Sequence, residues 1–277
     1  MIDLGMFPAD TAKTVSKMGL KKQKGKDALV SIITICFNSS KTIKKTIDSV
    51  LTQSYKNIEY IFIDGASKDN TLSIIKNRIN DYENCFIYSE PDKGIYNAMN
   101  KGLAKAKGDI IAFINADDFY SNAEVLHKVV ETFSDSNIDA IYGNLLYVDS
   151  DNPNKIIRKW KAGPMSHSSF LNGRMPPHPT FFVRKNVYDT YGGFNETFRI
   201  SGDYELMLRF LFKEKIKVTY INEYLVTMRN GGISNQSLSN RILANKEDRL
   251  AWKLNRIKPR FYTILLKPLR KISQFFV

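Results

Sequence analysis

Glycine-rich phosphate loops are missing from this chain: no G-x-G-x-x-G follows an apolar run, and no Walker A pattern occurs anywhere. A dinucleotide or nucleotide cradle made of glycine backbone is thereby excluded. Histidine and cysteine are scarce as well. The three histidines (His127, His167, His178) and two cysteines (Cys36, Cys85) are scattered and form no Cys/His cluster. That pattern excludes a zinc site of ordinary spacing, and two separated thiols fit a reducing compartment. No apolar run reaches membrane-spanning length, and residues 1–27 lack both an apolar centre and a cleavage site. The sequence therefore predicts a cytoplasmic protein, peripheral on the inner face of the cell membrane.

What is present is a globular composition: 277 residues, 43% hydrophobic and 12% aromatic. Such a chain buries a large core. The formal net charge is +13, and it is uneven. From Arg241 onward only Glu247 and Asp248 oppose a run of lysines and arginines, so the tail holds most of the excess.

Between residues 29 and 135, short β-branched runs alternate with helix-like segments. "LVSIITICF", "IEYIFIDG", "CFIYSE" and "IIAFIN" read as strands. Between them, "SSKTIKKTIDSVLTQ", "SKDNTLSIIKNRI" and "GIYNAMNKGLAKAKGD" show helical spacing. This order predicts an α/β fold, a parallel sheet with right-handed crossovers. Ligands of such sheets bind at the carboxyl ends of the strands. Those ends carry Phe37-Asn38, Asp64-Gly65, Glu90-Pro91-Asp92 and Asn115-Ala116-Asp117-Asp118. After residue 135 the alternation stops. "IDAIYGNLLYVD", "NKIIRKW", "PTFFV" and one or two strands in "IKVTYINEYLVTMR" are expected, with a helix over 201–214.

Without a glycine cradle, a diphosphate needs another counter-charge. Asp117 and Asp118 suit a hard divalent cation shared with phosphate oxygens, although a solvated turn has the same composition. Asp64 suits a ribose hydroxyl or a base N–H, or a turn followed by a helix cap. Asn97, Asn100 and Lys101 lie near the start of a helix that faces the same rim.

Taken in order, "SIITICFNSSKTIKKTIDSVLTQSYKNIEYIFIDGASKDNT", "SEPDKGIYNAMNKGLAKAKGDIIAFINADD", "PPHPTFFVRK", "SGDYELMLRF" and "MRNGGIS" resemble the family-2 glycosyltransferases of the GT-A fold. The likeness is strongest to bacterial enzymes of O-antigen, capsule or exopolysaccharide synthesis. It implies a Rossmann-like, mainly parallel sheet flanked by helices over residues 29–235. Residues 29–135 would bind the nucleotide and 136–235 the acceptor. It further implies Mn²⁺ or Mg²⁺ on Asp117 and Asp118, with Asn115 standing where the motif usually has its first acid. Thr34, Phe37, Asn38, Asp64, Asp92, Asn97, Asn100, Lys101, Ala116 and Asp117 are the positions implied to hold the donor nucleotide. Asn97 replaces the acid of the more usual "GIYDAMNKG". Asp203 matches the catalytic base, and His178 and Arg229 match positions near the acceptor or diphosphate. The implied reaction is inverting transfer from a nucleotide-sugar, UDP-linked, to a saccharide acceptor carried on a lipid diphosphate. An inactive scaffold of the same fold and a sugar nucleotidyltransferase are the alternatives.

Residues 1–28 form a basic extension and residues 236–277 a basic amphipathic helical tail, broken at Pro259 and Pro268. Trp252, Arg256, Phe261, Lys267 and Arg270 are its expected contacts with an anionic membrane surface. Packing of the same apolar face on the catalytic domain, or on a second subunit, is the alternative. No nucleic-acid motif accompanies the charge, so nucleic acid is not an expected partner.

Overall fold

The computed structural model describes residues 27–231, 238–264 and 266–267. All but the end of the basic extension, the Gly232-Ile233-Ser234 end of "MRNGGIS", Arg270 and the last residues of the tail lie outside that range.

The β-branched runs become β1 (Val30–Cys36), β2 (Ile58–Asp64), β3 (Cys85–Ser89) and β4 (Ile110–Phe113). They lie parallel in the order β3-β2-β1-β4. Every residue of β2 is buried, as expected of a central strand covered on both faces. The crossovers are α1 (Ile43–Leu51), α2 (Thr71–Ile79) and α3 (Ile95–Lys105). Helix α1 buries Ile43, Ile47 and Val50, one stripe at helical spacing.

The second half contains β5 (Phe119–Tyr120), α4 (Val125–Thr132), β6 (Ala140–Val148), β7 (Ile156–Trp160), β8 (Phe182–Arg184), α5 (Lys185–Tyr191), α6 (Gly202–Met207), β9 (Val218–Arg229) and α7 (Leu238–Leu254). The sheet continues β4-β8-β6-β9-β5, with β7 paired to β6. Strand β8 is antiparallel to both neighbours, β9 is parallel to β6, and β5 is antiparallel to β9. The sheet curls, because β5 at the end of this path returns to α1, where the Tyr120 N–H donates to Ser49 Oγ at 3.2 Å. The α/β fold expected from sequence is thus present, with an antiparallel insertion in the second half.

"IKVTYINEYLVTMR" forms one twelve-residue strand ending at Arg229, within the one or two expected. Two expectations are corrected here. "PTFFV" begins as a 3₁₀ turn over His178–Thr180, and its strand starts only at Phe182. Pro177 and Pro179 have no N–H to offer a sheet, so the ladder cannot start earlier. The helix over 201–214 is α-helical only to Met207, then widens into π-helical turns over Leu208–Lys213.

Two apolar layers enclose the sheet. One joins α1, α2 and α4 to one face. The other joins α3, α5, α6 and the inner side of α7 to the opposite face.

Candidate active site

At the rim of β2, Asp64 is fully buried. Its carboxylate accepts hydrogen bonds from the Ser67 N–H at 3.0 Å, the Ser67 hydroxyl and the Ser89 hydroxyl at 2.7 Å. Both oxygens are therefore engaged inside the protein, and of the two readings open from sequence the geometry matches the turn. Thr34 is also fully buried, its hydroxyl 3.1 Å from that of Tyr60. It sits in the core, too deep for the donor contact expected of it.

The open part of this rim is made by the neighbours of Asp64. Phe37 is 60% exposed, an unusual place for a phenylalanine. Beside it lies Asp92, so close to Gly65 that a Cβ there would meet Asp92 Oδ2 at 2.6 Å and the Phe37 ring at 3.3 Å. A side chain at position 65 would push the Asp92 carboxylate aside and crowd the Phe37 ring. Asn38 turns the chain with φ of 49° and accepts the Lys68 N–H at 2.8 Å.

The polar cluster of α3 is largely spoken for. Asn100 pairs with both backbone groups of Phe194 and with Glu196. Asn97 accepts the Lys93 N–H and donates to Glu196. Lys101 donates to the Pro91 carbonyl and pairs with Glu90 at 2.8 Å. These side chains lash the 90–94 and 193–196 loops to α3, which corrects their expected place in direct donor contact.

At the rim of β4 the situation reverses. Asp118 is fully buried, so a solvated turn is ruled out. One of its oxygens accepts from Asn115 Nδ2 at 3.0 Å, while the other is buried with no partner among the described residues. Burial, then the neighbouring Asp117 charge, push its carboxyl well above the usual range. Asp117 is raised by burial too, against the pull of Arg229. Ala116 packs in the core beneath them. Arg229, at the end of β9, donates to the Ser150 carbonyl at 3.0 Å and keeps a buried Nε with no partner among the described residues. Lys45 lies 3.9 Å over the Phe119 ring, and Arg229 stands 5.9 Å from the same ring.

No group of three or more His, Cys, Asp or Glu side chains gathers at one point among the described residues. A closed protein cage for a metal is therefore absent there. Two adjacent carboxylates, one with an orphaned buried oxygen, do fit a hard cation that takes its other ligands from a diphosphate.

Asp203 stands in the first turn of α6. Its carboxylate accepts from its neighbour's N–H, that of Tyr204, at 2.8 Å and from the Tyr96 hydroxyl at 3.4 Å. A Cβ at Gly202 would strike the Tyr96 ring at 2.7 Å, so glycine is what lets this turn sit on α3. His178 is buried between Phe113 and Phe194, and burial lowers its pKa while Asp203 opposes that shift. Tyr147 on β6 feels both Asp118 and Asp203, which together with burial raise its pKa against Arg158.

Sequence reasoning missed Tyr147 and also Glu247. The buried Glu247 carboxylate of α7 accepts the N–H groups of Arg199, Ile200 and Ser201 at 2.9, 2.9 and 2.7 Å. It thereby fixes the loop that leads into α6. Trp252, expected at a membrane, is 1% exposed and donates to the Tyr204 hydroxyl at 2.9 Å. Lys267 grips both oxygens of Asp248 at 2.7 Å over the Tyr204 ring. Both corrections have the same cause: the inner side of α7 is the lid of the second apolar layer. Arg256 and Phe261 are exposed, and Arg270 lies outside the described residues.

The Glycosyl transferase family 2 profile matches residues 31–214. An uncharacterized glycosyltransferase of Mycobacterium tuberculosis is 34% identical over 185 residues, 65% of this chain and 68% of that protein. A PGL/p-HBAD biosynthesis glycosyltransferase of the same species is 26% identical over 210 residues, covering 75% and 79%. Among solved structures, Staphylococcus aureus TarS residues 1–349 superpose with a TM-score of 0.62 at 16% identity, over 88% of this chain and 72% of that one. The mannosyltransferase PcManGT of Pyrobaculum calidifontis, solved with GDP-Man and Mn²⁺, gives 0.61 at 16% identity, over 89% and 69%.

Proposed function

The chain belongs to glycosyl transferase family 2, and from that premise we propose that it is an inverting, metal-dependent enzyme moving a sugar from a nucleotide-sugar to a saccharide hydroxyl in cell-surface polysaccharide synthesis. The observation that carries the reading is the acid pair at the rim of β4, where the fully buried Asp118 beside Asp117 keeps an oxygen with no partner among the described residues. TarS has been solved with UDP-GlcNAc and PcManGT with GDP-Man and Mn²⁺, which supports a nucleotide-sugar and a divalent ion here. We take the donor to be UDP-linked and the acceptor to be carried on a lipid diphosphate.

The nucleobase stacks on the exposed Phe37 ring and offers an N–H to Asp92, with Asn38 bounding the ribose side. Asp117 and Asp118 would hold Mn²⁺ or Mg²⁺, and the ion would supply positive charge to the leaving diphosphate. Arg229 adds a fixed positive charge to that side. Asp203 takes the proton of the acceptor hydroxyl as its oxygen bonds to the anomeric carbon. The bond from that carbon to the donor phosphate oxygen breaks in the same displacement, and a nucleoside diphosphate leaves. His178, kept neutral by burial, lies close to Asp203 without adding a competing positive charge.

The test is a screen of UDP- and GDP-sugars with Mn²⁺, followed by NMR of the anomeric configuration of the product. Inversion with at least a hundredfold loss of kcat in Asp203→Asn is expected. Retention of configuration, or full activity of that variant, contradicts the assignment. Nucleotide binding without turnover across the panel would favour the inactive scaffold.

A further inference from the structure

Helix α7 is built inside out with respect to its own charges. Its two acids, Glu247 and Asp248, are buried. They are occupied by the 199–201 amides and by Lys267. Three of its apolar side chains turn the other way: Ile242 is 50%, Leu250 37% and Leu254 49% exposed. Lys246, Arg249 and Lys253 share that outer side, and Lys258, Arg260 and the 93%-exposed Phe261 follow it. Among the described residues the outer side of 241–261 carries no acid at all.

The end of the helix sharpens the pattern. Arg256 has φ of 58°, and the N–H groups of Arg256 and Ile257 close back on the carbonyls of Lys253 and Trp252. That is the left-handed cap position where glycine is favoured, yet an exposed arginine occupies it. An arginine there suits the negative end of the helix dipole and adds its charge to the outer basic side.

We propose that the outer face of α7, with the turn to Phe261, is the surface on which this protein docks to an anionic lipid bilayer. Apolar side chains that alternate with cations enter the acyl boundary while the cations meet headgroup phosphates. The partner is committed by charge: a second copy would bring the same basic face, and the two would repel. This deepens the proposed function, since an acceptor on a lipid diphosphate lies in that surface. Docking nevertheless requires no catalysis, so either reading can fail without the other. Because the inner side of α7 fixes the loop before Asp203, a docked helix also orients the site toward the bilayer.

Sedimentation of the full chain with vesicles tests the proposal, comparing phosphatidylcholine alone with phosphatidylcholine mixed with phosphatidylglycerol. Salt-sensitive binding to the mixed vesicles is expected, with little binding to the neutral ones. Leu250→Ser/Leu254→Ser/Phe261→Ser should lower the partition coefficient about tenfold or more at unchanged far-UV circular dichroism. Arg256→Gly should weaken binding severalfold while raising Tm. Wild-type partition by the triple variant overturns the proposal. So does equal binding to neutral vesicles, or a dimer in solution that the triple variant dissolves without any change in lipid binding.

Discussion

Two strand ends, β2 and β4, each bury a carboxylate completely, and the chain treats them in opposite ways. Asp64 receives an amide and two hydroxyls, so both of its oxygens are engaged. Asp118 receives one side-chain amide, faces a second acid, and leaves an oxygen unpartnered among the described residues. Residue type and depth are the same, and the donors and the neighbouring charge differ. A buried acid with its donors is part of the scaffold, whereas one without them stores a cost that a ligand can relieve.

Removing the satisfied acid should have the largest effect on stability. Asp64→Ala takes the buried acceptor away from three donors at the half-buried Ser67 and the exposed Ser89, a loss of about 2–3 kcal/mol in urea denaturation. A loss below about 1 kcal/mol would erase the contrast between the two rims.

The pH dependence should separate them next. The folded-state pKa of Asp118 is raised, so the native state takes up its proton at higher pH than the unfolded chain does. As pH falls from neutral through that raised value, this group adds stability, until the unfolded carboxyl also protonates near 3.8. Asp118→Asn removes the effect. The variant should be about 1–2 kcal/mol more stable than wild type at neutral pH without metal, and the gap should close toward about pH 4. A constant gap across that range would show that burial of the charge is not what destabilises the rim.

The smallest effect should come from making Asp64 resemble Asp118. Ser89→Ala withdraws one donor from Asp64 and should cost about 1 kcal/mol, with the donor-binding constant unchanged. A large loss of nucleotide affinity instead would return Asp64 to the role of a donor contact.

Much of this was readable in the sequence. The four parallel strands are short β-branched runs, and their carboxyl ends announce themselves through Asp64, Asp92 and Asp117-Asp118. What could not be read is which of these groups is satisfied. The Ser89 hydroxyl reaches Asp64 from 25 positions away, and Glu247 reaches the 199–201 loop across 46 to 48. Periodicity carries no information about such pairs. In α7 the face expected at a membrane included Trp252. Trp252, Ala251 and Asn255 turn inward instead, because the indole fills the second layer and donates to Tyr204. The acids follow the tryptophan inward because amide and lysine donors wait for them, and the leucines are left outside.

The central claim is that the orphaned Asp118 oxygen waits for a divalent cation bound together with a diphosphate. Calorimetric titration of UDP and GDP into wild type and Asp118→Asn, with Mn²⁺ and with chelator, tests it most directly. The account predicts that Mn²⁺ tightens wild-type binding of one nucleotide at least tenfold, about 1.4 kcal/mol, and leaves the variant unchanged. Equal affinity with Mn²⁺ and with chelator in the wild type, or an undiminished Mn²⁺ effect in Asp118→Asn, would contradict it.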